Sequence, residues 1–319
     1  MGSGPPARQI MTVKGPISAE SLGKTLIHEH ILVDFIGADR VTADRWDRKK
    51  VRLAVMPYLD ELKTLGVQSI LDCTPAFLGR DIRLLQEISQ ESGLTIVTNT
   101  GYYGAVTNKY LPPWAFTESA EQLAARWIRE FDKGIDATDI RPGFIKIGVD
   151  GGVLSGLHQK LVQAAALTHL STGLTICSHT GPALPAFEEM EILRRMGVAP
   201  SAFVWVHAQN ETDKSLYTTA AKKGAWVSLD GMGWGNFDGY ATWLHDLKAN
   251  GQLYQVLISH DAGWYRPGEA DPMEKFVGYT SLFDKVLPLL KVKGFSEKDF
   301  DQLLRKNPTE AFGIDIRKL

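Results

Sequence analysis

Thr25-Leu26-Ile27-His28-Glu29-His30-Ile31-Leu32-Val33 is an aliphatic run broken by two imidazoles one residue apart. The run reads as a β-strand. Residues two apart on a strand share a face, so His28 and His30 can chelate one metal ion while Glu29 points toward covering helices. Four further apolar runs carry a group of ligand chemistry at or near their ends: Phe144-Ile145-Lys146-Ile147, Leu174 to His179, Phe203 to His207, and Val256 to Asp261. Groups on separate strands meet only if the strands lie side by side with their ends together. The pattern therefore asks for a parallel sheet.

Working outward, apolar runs also occupy 67–73, 95–100 and 225–229, which brings the count of predicted strands to eight. Helical patterns at 51–65, 80–92, 118–131, 159–172, 183–196, 214–223 and 240–250 alternate with them, as expected of repeated β-α units. Gly66, Gly93, Gly173, Gly197, Gly224 and Gly251 fall where helices should stop. No Pro/Ser-rich linker interrupts the helix-Gly-strand rhythm, so one α/β domain is expected over 11–319. Residues 1–10, opening Met1-Gly2-Ser3-Gly4-Pro5-Pro6, are expected to be a disordered leader or a vector-derived scar.

At 319 residues and 44% hydrophobic content the chain can bury a single large core. A formal charge of -2 without a Lys/Arg-dense stretch gives no footprint for nucleic acid. No apolar run reaches the roughly 18 residues of a membrane span, and the start lacks a secretory layout, so no membrane partner and a cytoplasmic location are expected, unless a native signal peptide has been removed. Cys73 and Cys177 lie inside predicted strands and read as small apolar filler. Nucleophile-elbow, phosphate-loop and dinucleotide-binding glycine motifs are absent from the sequence.

The ligand set and its order resemble the phosphotriesterase family of the amidohydrolase superfamily, from Gly15-Pro16-Ile17 to Asn307-Pro308. The resemblance implies a (β/α)8 TIM barrel with a binuclear metal centre at the C-terminal ends of its strands. It assigns His28, His30, Lys146, His179, His207 and Asp261 as metal ligands. Two divalent ions are implied, zinc first, with manganese, cobalt or iron as alternatives. Lys146 would carry CO2 as a carbamate, because an ammonium repels cations whereas a carbamate offers two anionic oxygens to bridge them. A lysine inside an apolar strand is otherwise costly. Asp261 would act as ligand and catalytic general acid/base on a water activated between the metals. Asp230 is expected to support the site by hydrogen bonding, and His260, out of register with Asp261, to face away.

Tyr102, Tyr103, Trp264, Tyr265 and Arg266, in loops after the third and eighth strands, are the expected substrate-binding residues. Arg266 suits a carboxylate or phosphate. The expected substrate is a small lactone or related carboxylic ester, with an organophosphate triester as the alternative. Gly231-Met232 stands where acyl-homoserine lactonases of the resembling family carry a basic residue, which argues against that signal. Superfamily deoxyribonucleases have glutamate where this chain has Lys146. A catalytically silent metal-binding barrel is the reading from another class. A homodimer, with 35–45 taking part, is compatible with the resemblance. His158, His169 and His245 are expected to be exposed or half-buried.

Overall fold

The computed structural model describes residues 8–319, as a mixed α/β fold built on parallel sheets. The first strand begins before residue 11. Gln9–Thr12 (β1) pairs antiparallel with Gly15–Ser18 (β2), and Ile10 is buried. Of the expected leader 1–10, residues 8–10 thus belong to the fold, and 1–7 lie outside the described residues.

The remaining strands are Thr25–Leu32 (β3), Ser69–Asp72 (β4), Thr95–Val97 (β5), Asn99–Thr100 (β6), Phe144–Gly148 (β7), Thr175–His179 (β8), Phe203–Val206 (β9), Trp226–Leu229 (β10), Val256–Ile258 (β11) and Ala262–Tyr265 (β12). They pair in parallel in the orders β12-β3-β4-β5 and β6-β7-β8-β9-β10-β11. Only Thr98 separates β5 from β6. At the other junction, the Asp261 amide donates to the His28 carbonyl at 3.0 Å. Each predicted strand therefore has its counterpart, in an arrangement consistent with a (β/α)8 barrel. β12 was expected to be loop; it is a short strand on β3. Its Gly263 is required there, since a Cβ would stand 1.7 Å from the His30 carbonyl oxygen.

The helices Arg48–Thr64 (α1), Ile82–Ser92 (α2), Pro113–Thr117 (α3), Ala120–Lys133 (α4), Gly156–Thr172 (α5), Ala183–Arg195 (α6), Ser215–Lys222 (α7) and Phe237–Ala249 (α8) follow the strands. Asp47, Asp81, Ser119 and Ser155 cap α1, α2, α4 and α5 through their side chains, satisfying backbone donors that have no partner inside the helix. Among the described residues no helix is long and apolar enough to cross a membrane.

Strand side chains sort into two layers. Leu26, Ile70, Ile96, Ile145, Ile176, Trp205, Val227 and Ile258 pack with helix residues such as Leu59, Leu84, Leu123 and Leu161. Ile27, Leu71, Val97, Phe144, Cys177, Val204, Trp226 and Leu257 meet one another on the opposite face, with Ile10, Leu22 and Phe312. Side chains on both faces of the strands are buried, as a parallel sheet requires. Cys73 and Cys177 are free thiols in this packing.

Candidate metal centre

Three local devices bring ligand-type side chains to the inner face. Strand parity suffices for Lys146 and His179, two residues beyond the inner Phe144 and Cys177. On β3, parity from the inner Ile27 would turn His28 outward. Between Leu26 and Glu29 the pairing with β4 slips, so that three steps on β3 match two on β4. This β-bulge re-aims His28 and His30 inward and sends Glu29 outward. His207 follows the inner Val206 and would also face outward, but its φ of 60° turns the chain. Asp261 has a φ of 53°. Two non-glycine residues in the left-handed region at one site are strain of the kind that surrounding structure sustains at functional positions.

The imidazoles cluster closely: ring centroids are 5.3 Å apart for His28 and His30, 4.9 Å for His28 and His207, and 4.4 Å for His179 and His207. Asp261 Oδ1 lies 3.1 Å from His30 Nε2 and 3.6 Å from His28 Nε2. Lys146 is buried among these groups, and among the described residues its Nζ has no hydrogen-bond partner. An orphaned buried ammonium is costly. Its carbamate would replace that orphan with oxygens able to meet cations, so the donor set fits a metal centre of the expected kind.

Asp230 ends the inner face of β10 and is fully buried. Its Oδ1 accepts from His207 Nδ1 at 2.7 Å and Gln209 Nε2 at 3.1 Å, and its Oδ2 from His28 Nδ1 at 3.2 Å, Ser228 Oγ at 2.6 Å and the His207 amide at 3.3 Å. Two sets of potential ligands have donor atoms within 4.8 Å of one another: His28 with His30 and Asp261, and His28 with His207 and Asp230. The second set is better read as orientation. Five donors occupy the Asp230 oxygens, and by holding both Nδ1 atoms they leave both Nε2 lone pairs for an ion. Thr74 Oγ1, 2.8 Å from His30 Nδ1 and itself donating to the Leu32 carbonyl, orients the third ring. That Asp230 and Thr74 share this task was legible only for Asp230.

Electrostatics favour neutral rings at His28 and His179 and charged carboxylates at Asp230 and Asp261, while Asp230, against the effect of burial, raises the His207 pKa. Burial, reinforced by the Lys146 charge, lowers the His28 pKa to about 4. Burial and the facing His207 push His179 well below its ordinary value. Burial opposes charge on Asp230, but His207 and His28 hold its carboxyl well below the usual range. A neutral imidazole beside an anionic carboxylate is the protonation state that binds a divalent cation.

A cavity of about 70 Å³ covers the cluster, lined beyond the ligand-type residues by Val33, Phe35, Pro75, Leu78, Tyr103 and Trp264. Tyr103 meets His179 edge-on at 4.9 Å, and burial raises its phenol pKa. Tyr102 is not part of it. One residue out of phase, it faces the helix layer, where its hydroxyl accepts from Trp114 Nε1 at 3.1 Å and its ring meets Trp127. Tyr265 likewise packs against the outer core, while Trp264, at φ 77°, reaches inward to within 5.8 Å of the His30 ring. Arg266 does not line the cavity; its guanidinium stacks 5.2 Å from the Phe35 and Trp264 rings that do, and pairs with Glu269 at 3.6 Å. Of the remaining histidines, His245 is exposed, but His158 and His169 are buried, contrary to expectation. Each is held by backbone: the Gly104 carbonyl lies 3.1 Å from His158 Nε2, and the Leu174 carbonyl 2.9 Å from His169 Nδ1.

The model of the phosphotriesterase family matches residues 8–312. The chain belongs to the phosphotriesterase family. Among curated relatives, a phosphotriesterase homology protein of Escherichia coli (strain K12) is 29% identical over 300 residues, covering 93% of this chain and 100% of the relative. An aryldialkylphosphatase of Saccharolobus solfataricus is 28% identical, covering 94% of this chain and 98% of its own. A phospho-furanose lactonase of Mycoplasmopsis agalactiae is 25% identical, with 96% and 92% covered. This phosphotriesterase-family chain thus shares 94% of its length with a protein named an aryldialkylphosphatase and 96% with one named a phospho-furanose lactonase, which supports a metal-dependent hydrolase without selecting the substrate.

Proposed function

We propose that this protein is a binuclear-metal-dependent hydrolase, a single closed (β/α)8 barrel acting on a small lactone or related carboxylic ester. The observation that carries the reading is Lys146: a buried amine without a hydrogen-bond partner among the described residues, beside His28, His30 and His207, whose Nδ1 atoms are engaged elsewhere. His28, His30 and Asp261 would hold one divalent cation, His179 and His207 the other, and carboxylated Lys146 would bridge them. Zinc suits this nitrogen and oxygen set, and manganese, cobalt or iron are compatible. Such a pair of cations supplies an activated water at neutral pH and polarises the ester carbonyl.

The chain's own groups do the rest. Asp261, 3.1 Å from His30 Nε2, takes the proton of the attacking water on a carboxylate oxygen and returns it to the leaving alkoxide. Asp230 keeps His28 and His207 in the ligating tautomer. Tyr103, Phe35 and Trp264 exclude bulk water and limit the acyl part to a compact one, given the small cavity. Arg266, behind two of those rings, would meet an anionic substituent that reaches past them. Tyr102 and Tyr265 have no role in this reading. The aryldialkylphosphatase likeness supports phosphotriester cleavage as a second activity of the same groups.

Metal content together with hydrolysis of γ- and δ-lactones, aryl esters and an aryl phosphotriester, in the wild type and Asp261→Asn, tests the proposal. About two metals per chain and turnover that collapses in the variant are expected. Metal-free protein, or turnover indifferent to Asp261, overturns the proposal, and bound metal without turnover of any of these esters favours a silent metal-binding barrel.

A further inference from the structure

We infer that Glu29 is a positioning residue for Asp261, clasping the backbone on both sides of it; what Asp261 then does rests on the hydrolase reading above. The bulge that turns His28 and His30 inward turns Glu29 to the other face, where it is fully buried. There its Oε1 accepts from Ser259 Oγ at 2.7 Å, from the His260 amide at 3.1 Å and from His260 Nδ1 at 2.8 Å. Its Oε2 accepts from the Ala262 amide at 3.0 Å. These donors come from residues 259, 260 and 262, so they bracket Asp261 without touching its carboxylate.

The bracket fills a gap in the sheet. β11 stops at Ile258 and β12 starts at Ala262, leaving the intervening residues outside any ladder. Within that gap Asp261 takes a φ of 53°, a conformation a non-glycine residue keeps only when its neighbours are fixed. The amides of His260 and Ala262 end on Glu29, and that of Asp261 ends on the His28 carbonyl. His260 is committed to the clasp as well. Its Nε2 accepts from the Leu282 amide at 3.0 Å, which leaves the hydrogen on Nδ1, directed at Glu29. Ser259 Oγ also accepts from the His28 amide at 3.0 Å, tying the same network to the first chelating residue. The residue between the two histidines of His28-Glu29-His30 and the residue before Asp261 thus form one buried device.

Glu29→Gln isolates the effect. A carboxamide can keep one oxygen for the three donors at Oε1, but its nitrogen then confronts the Ala262 amide, donor against donor, so the lost contact falls on the residue directly after Asp261. In crystals of the metal-free variant, Asp261 is expected to leave the left-handed region; an unmoved Asp261 overturns the proposal whatever the protein hydrolyses. Cobalt-loaded wild type and variant are then compared by visible absorption and by steady-state kinetics at a temperature where circular dichroism shows both folded. A changed absorption band and a kcat loss of about 10–100-fold with little change in KM are expected. An unchanged band with activity that tracks only thermal stability would reduce Glu29 to a fastener of the sheet and refute the inference. Should Glu29→Gln not fold, Ser259→Ala, which removes one donor from the same oxygen, gives the same comparison with a smaller expected displacement. Wild-type protein that binds cobalt but turns over no ester defeats the hydrolase reading alone, since the crystallographic and spectroscopic comparisons do not depend on a substrate.

Discussion

Replacing Asp230 with asparagine should remove metal affinity more than its small change in shape suggests. The wild-type carboxylate accepts five donors while fully buried, and two of them are the Nδ1 atoms of His28 and His207. An amide offers one oxygen. With that oxygen at the Oδ1 position, the 2.7 Å contact to His207 and the contact to Gln209 survive. The amide nitrogen then faces His28 Nδ1, and two donors cannot meet. His28 relieves the clash by moving its hydrogen to Nε2, the atom that should ligate metal. The opposite amide orientation transfers the same fault to His207. Either way one imidazole is lost as a ligand, and affinity for the cation it serves should fall by about 100-fold, the upper end for loss of an orienting partner. Removing the charge from a buried hydrogen-bonded group should also cost about 3 kcal/mol of stability. Zinc titration against a competing chelator reads the first quantity and urea unfolding of the metal-free protein the second. Affinity within a factor of about three of wild type would refute the tautomer argument. A stability loss below about 1 kcal/mol would refute the claim that Asp230 is bound tightly by its donors.

Three further outcomes follow from the same geometry. Lys146→Met should abolish binding of the metal pair while stabilising the metal-free protein by about 1–3 kcal/mol, because it removes a buried donor without a partner; urea midpoints and metal analysis check both signs. The metal-free protein should lose stability as pH falls from about 6.5 to about 4. His28, with a folded pKa of about 4, stays neutral in that window while the unfolded chain takes up a proton, and the difference amounts to about 3 kcal/mol by urea unfolding at successive pH values. A flat profile there contradicts the burial of that ring. Arg80→Ala should destabilise by about 2–3 kcal/mol with little effect on metal content, since it removes the charged hydrogen bonds at 2.8 and 3.0 Å to half-buried Glu130, away from the metal cluster; thermal unfolding and metal analysis separate the two effects.

Much of this protein was legible in its residues. Lys146 and His179 fall on the inner face by simple alternation from Phe144 and Cys177, and a charged amine inside Phe-Ile-Lys-Ile has few physical excuses other than a ligand role. The glycines read as helix stops, Gly66, Gly93, Gly173, Gly197, Gly224 and Gly251, all have positive φ, because a chain leaving a helix through the left-handed region favours the residue without a Cβ. Asp230 as a hydrogen-bonding support came from the family resemblance, and alternation placed Glu29 opposite His28 and His30 and His260 opposite Asp261. The N-terminal hairpin and β12 were not. Gln9–Thr12 and Gly15–Ser18 are too short to signal a strand by themselves, and glycine counts against one at Gly263 until the nearby His30 carbonyl is known. Adjacent Tyr102 and Tyr103 were given one role, although on extended chain neighbours face opposite ways and only Tyr103 reaches the cavity.

Residue order alone limits which side chains could form the centre and requires parallel strands to gather them, since spacing, hydrophobicity and ligand chemistry are local properties of the chain. Tertiary structure alone decided how His28 and His207 come to face inward: one through a slipped pairing with a strand about forty residues away, the other through a left-handed backbone held by its surroundings. Strand alternation counts residues, whereas a bulge and a strained φ depend on what the neighbouring strand offers, and that is fixed only when the whole sheet assembles.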